Sequence, residues 1–124
     1  MQGTRIRLEY FDQNEPFAAC MPRTGTLVRR LAVGGWAGKS HVLELDEPFE
    51  YEGCWHERVL IRSRWQQYRV GGREPTSVFI LLIPDAAALE RPRPEDFAHV
   101  AWGIAHALGP WWRKLAVDLG VAVA

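Results

Sequence analysis

The chain has 124 residues, 48% of them hydrophobic and 24% charged, the composition of one globular domain, which excludes a disordered chain or two independent cores. Its 15 basic and 15 acidic side chains give a formal net charge of zero, so nucleic acid is not the expected partner, and weak mutual repulsion favours self-association. No apolar run is long enough to span a membrane, no secretory-type segment follows Met1, and Cys20 and Cys54 are too few for a disulfide scaffold; the expected setting is the cytoplasm. The excess of Arg over Lys reads as codon composition, as in a GC-rich bacterial or phage genome.

Thr4 to Phe11 alternates Ile6, Leu8 and Tyr10 with Arg5, Arg7 and Glu9, the pattern of a strand with one buried face. Asp12 to Gly25, broken by Pro16 and Pro22, reads as a loop. A second strand is expected over Leu27–Val33 and a third over His41–Leu45, with Gly34 to Gly38 between them. Pro48 is expected to interrupt the third, leaving Phe49–Trp55 as an edge strand or a separate short one. Glu57–Trp65 alternates, Gly71–Pro75 breaks the chain, and the continuous apolar run Val78–Ile83 predicts a central strand covered on both faces.

The strongest helix signal follows. Pro94, Glu95 and Asp96 suit a helix start, Gly109 and Pro110 suit its end, and Phe97, Val100, Ala101, Ile104, Ala105 and Leu108 have the spacing of a core-facing stripe. Trp111, Trp112, Leu115 and Leu119 suggest a shorter second helix. These elements predict an α+β domain over residues 1–124: an antiparallel meander of about five strands, with a helix at 94–108 and the shorter helix packed on one face.

Several patterns bear on chemistry. Gly38-Lys39-Ser40 resembles the end of a phosphate-binding loop, but Val33 stands where that motif needs Gly, and a strand pattern follows instead of a helix; the motif is rejected. Cys54 and His56 share a strand face, with Glu52 on the same side if pairing is regular, which is the residue set of a His-activated thiolate with an orienting carboxylate. Cys20, His41, Cys54 and His56 lack the paired spacing of structural zinc, so neither a metal nor any other cofactor is expected.

On the expected helix, Glu95, His99, Trp102 and His106 line up opposite the core stripe. A solvated face rarely carries Trp and two His, so this line, with Trp111 and Trp112, is the expected interface. Arg58, Arg62 and Arg64 share a strand face and form a candidate anion site, although cross-strand ion pairs with Glu44, Glu50 and Glu52 are the favoured account and need no ligand. The sequence therefore predicts a small non-enzymatic protein-binding or regulatory module that self-associates, most simply as a homodimer away from membranes. The alternative is a small Cys/His enzyme or ligand-binding domain with its pocket between sheet and helix.

Overall fold

The computed structural model describes residues 3–10, 15–34, 40–63 and 75–108. Six strands follow one another: β1 (Arg5–Tyr10), β2 (Arg23–Leu31), β3 (Ser40–Tyr51), β4 (Cys54–Ser63), β5 (Thr76–Leu82) and β6 (His99–Leu108). Each pairs antiparallel with the next, and β6 returns to pair with β1, which closes the sheet into a barrel.

Period-two patterning explains the closure. Ile6 and Leu8 of β1, Leu27 of β2, Leu43 and Leu45 of β3, Val59 and Ile61 of β4, and Val78, Ile80 and Leu82 of β5 all point inward and are buried. β6 contributes Ala101, Gly103, Ala105 and Ala107 to the same interior. A barrel of so few strands has room only for side chains, and small residues on one wall make space for the branched residues of the others.

Two glycines let neighbouring backbones approach. A Cβ on Gly103 would lie 2.1 Å from the Glu9 carbonyl oxygen, and one on Gly25 would lie 2.4 Å from that of Glu44. At both positions the wall bends too tightly for any side chain.

A second apolar layer lies outside the barrel. The β5–β6 connection, which contains single 3-10 turns at Ala86–Glu90 and Pro94–Asp96, packs Ile83, Leu89 and Phe97 onto Val33, Val42, Leu60 and Leu81. Gly34 N–H donates to Pro92 O, and Ala98 N–H donates to Leu82 O, which ties the connection down. The run at Val78–Ile83 is thus covered on both faces, as its composition predicts.

The α+β expectation is overturned. No α-helix occurs among the described residues, and the segment expected as a helix over 94–108 is one 3-10 turn followed by β6. Its apolar residues sit at both parities, so they satisfy a helical stripe as well as a strand with two apolar faces. The buried set is decided by the alternate small residues 101, 103, 105 and 107. The start signals at Pro94–Asp96 do operate: Asp96 accepts from the Arg93 N–H at 2.9 Å, but the turn ends there. The second helix expected around Trp111 and Trp112 lies outside the described residues.

Two loop boundaries also shift. The stretch expected as a loop over 12–25 contains a 3-10 turn at Pro16–Cys20 and the start of β2. β3 runs through Pro48, which falls in a register shift between Glu44 and Phe49, where a missing N–H costs no ladder bond.

Candidate functional site

One end of the barrel gathers Cys20, His56 and His99 with the rings of Tyr10, Phe17, Phe49 and Tyr51. The Pro16–Cys20 turn drops Phe17 into this end, where it is fully buried. Its ring meets Tyr10 at 5.2 Å and Tyr51 at 5.2 Å between centroids, both edge-on, and His99 at 5.1 Å. His99, the first residue of β6, also lies against Tyr51, and its Nε2 is buried without a hydrogen-bond partner. His56 is buried against Phe49 at 5.4 Å, and this burial lowers its pKa below the ordinary histidine value. Cys20 is buried beside them; its thiol donates weakly to Glu50 O at 3.7 Å, and burial pushes its pKa up. A protonated, buried thiol is a poor nucleophile. These groups fill the barrel end.

The Cys54, His56 and Glu52 set does not assemble. Cys54 and His56 share one face at the start of β4, as expected, with His56 buried and Cys54 half-buried. Glu52 does not, because Glu52 and Gly53 both have positive φ, at 51° and 80°, and form the two-residue turn that joins β3 to β4. Positive φ at both central residues is the signature of a type I′ hairpin, and it carries the carboxylate away from the strand face. Among the described residues no hydrogen bond joins His56 to a carboxylate or to Cys54, and no group of three or more His, Cys, Asp or Glu could hold a metal ion. His41 is buried at the inward parity of β3, its pKa lowered chiefly by desolvation and then by Arg30.

The line Glu95, His99, Trp102 and His106 is also dispersed, because it depended on a helix. Glu95 lies in the Pro94–Asp96 turn and pairs with Arg93 at 3.3 Å. His99 faces the barrel end. Trp102 and His106 face outward on β6, where Trp102 Nε1 donates to Ser77 Oγ at 2.7 Å and His106 Nε2 meets Glu9 Oε2 at 3.1 Å. Glu9 also pairs with Arg7 at 3.2 Å, so a short polar ladder runs beside the exposed apolar residues. Val100 is 51% exposed and Trp102 42% exposed, with half-buried Ile104 continuing the row. Trp111 and Trp112 lie outside the described residues.

Arg58 pairs with Glu44 at 3.3 Å, directly opposite it in the β3–β4 register, so this cation is already neutralised across the sheet. Arg62 shares the outward face of β4, and Arg64 lies outside the described residues. A shallow groove of about 610 Å³ runs along Leu31, Gly34, Glu90, Arg91 and Arg93, with both charge signs on its walls.

The residue that sequence reasoning passed over is Trp55. At 66% it is the most exposed large hydrophobic side chain among the described residues, and it lies next to the β3–β4 turn opposite Glu50. Its signal was Glu52-Gly53 between two alternating runs, which marks a two-residue hairpin and fixes which side chains point out. No family model matches the chain, and no curated protein or solved structure matches it.

Proposed function

We infer that the chain is a non-enzymatic protein-binding module that self-associates through the outer face of β6. The observation carrying this reading is the row Val100 and Trp102, exposed on the outer wall while the barrel end is filled. The second apolar layer on the wall of β2 to β5 does not include Val100 or Trp102. Its flank is self-complementary, since Arg7, Glu9 and His106 place both charge signs side by side. Face-to-face packing of this row on its own copy would be an isologous arrangement. The neutral net charge adds no long-range repulsion.

The Cys/His enzyme reading draws less support from the geometry. Its carboxylate sits on a turn, its histidine is desolvated, and the barrel end it would use is packed with Phe17. Among the described residues no helix packs on the sheet to form a pocket with it.

Light scattering coupled to size-exclusion chromatography tests the proposal. The wild type is expected at dimer mass, and Val100→Asp and Trp102→Asp at monomer mass with little change in melting, because both side chains are exposed. A wild type that stays monomeric well above micromolar concentration, or variants that remain dimeric, would rule the reading out.

A further inference from the structure

We propose that the β3–β4 hairpin docks an extended, Lys/Arg-rich protein segment, which adds as a strand along the free edge of β4 at Cys54–Arg58 and lays a cationic side chain against Trp55. The surface is separate from the β6 row.

The edge comes from strand lengths. β4 begins at Cys54 and pairs with β3 from there on, but its pairing with β5 covers only Leu60–Ser63. Among the described residues, no strand lies beside Cys54–Arg58 on the β5 side. Among the described residues, the hairpin therefore continues past β5 as a two-stranded ribbon. Its β3 flank is occupied by the Pro16–Cys20 turn, through the Cys20 contact with Glu50 O, so among the described residues the β4 flank is the open one. An exposed edge offers unpaired N–H and C=O groups to any extended chain of suitable side-chain chemistry.

Charge selects that chemistry. Residues 44–57 hold six of the chain's 15 acidic side chains and none of its 15 Lys and Arg. Arg58 neutralises Glu44, Arg5 neutralises Asp46 through two hydrogen bonds, and Arg23 lies 3.9 Å from Glu47. The remaining three, Glu50, Glu52 and Glu57, are exposed and form no ion pair among the described residues. They surround Trp55: Glu50 is its partner across the ribbon, Glu57 follows two residues on along the same outward face, and Glu52 is at the turn. An indole face between carboxylates suits a guanidinium or ammonium group, held by cation–π and charge attraction together.

The same charges argue against a second copy at this edge. Pairing two such edges would bring Glu57 and its neighbours against their own kind, and like charges across a sheet destabilise it. The edge is protected from its own copies and open to a basic strand.

The test uses fluorescence anisotropy with a short labelled peptide alternating Lys and Val, at low salt. Expected is saturable binding that weakens as salt is added, and that falls about tenfold in Trp55→Ala and, independently, in Glu57→Lys. The same peptide N-methylated at alternate residues is expected to lose binding, because strand addition needs its N–H groups, and a Glu/Val peptide is expected not to bind. Trp102→Asp is expected to leave the affinity unchanged, which keeps the outcome separate from that of the β6 row. The proposal is overturned if the Lys/Val peptide does not bind, if the N-methylated or acidic peptide binds equally well, or if both hairpin variants bind as the wild type does. It is also overturned if these variants lower the self-associated mass, since the edge would then belong to a second copy.

Discussion

Replacing Gly103 with Ala separates the barrel from the helix that the sequence suggests, because the two predict opposite signs. In a helix interior the change would stabilise by about 1 kcal/mol. In the barrel the added Cβ would lie 2.1 Å from Glu9 O and 3.1 Å from Ile80 Cδ1, where ordinary contact begins at 3.4 Å. The shortfall against the carbonyl exceeds 1 Å, and the obstacle is backbone, which no rotamer change relieves. β1 must then move off β6 beside the Tyr10–Gly103 pair, where the barrel closes. Overpacking costs about 1–3 kcal/mol, and a backbone clash belongs at the upper end. A loss of about 3 kcal/mol lowers Tm by roughly 10 °C in a domain of this size. Circular dichroism melts of Gly103→Ala, paired with urea midpoints, measure it directly. A Tm equal to or above that of the wild type would refute the placement of Gly103 at a backbone crossing.

Phe17→Ala should cost about 3–5 kcal/mol in urea unfolding, because it empties the packed barrel end; a loss below 1 kcal/mol would mean that Phe17 does not fill it. Stability should be complete above the unfolded histidine pKa of about 6.5 and fall as pH drops through it toward the lowered folded values of His41 and His56. The unfolded chain binds protons there that the folded chain refuses, so the slope reaches at most about 1.4 kcal/mol per pH unit for each group; a flat profile across that window would contradict their burial. Glu52→Asn should raise stability by about 0.5–1 kcal/mol, since Asn tolerates the positive φ of 51° better than Glu; a destabilised variant would count against the type I′ turn.

The strands were legible where inward and outward residues differ in polarity. Ile6 and Leu8 against Arg5, Arg7 and Glu9 locate β1, and the apolar run at 78–83 locates β5 together with its double burial. β6 was not legible by the same rule. Beyond His99 its inward residues are Ala and Gly, and its outward ones include Val100, Trp102 and Ile104, so the usual contrast is inverted and helix propensity filled the gap. Gly103 in mid-segment was the contrary signal, since glycine weakens a helix but is required where barrel walls meet.

The same misreading scattered the expected interface, although Trp102 and His106 remained outward on the strand. His99 changed sides because one face of a strand takes alternate residues, and positions 99 and 102 differ in parity. Glu52 left the Cys54–His56 face for a comparable reason: the β3–β4 turn falls on it, and turn position depends on a backbone conformation that the alternation on either side does not specify.

The closure of β6 onto β1 supports everything else, because it decides which side chains reach the outer wall. Long-range backbone nuclear Overhauser effects measure it most directly. The account predicts contacts joining Arg7 to His106 and Leu8 to Ala105, with strand-like chemical shifts from His99 to Leu108. Helical shifts over that segment, with sequential amide contacts and none to β1, would contradict it.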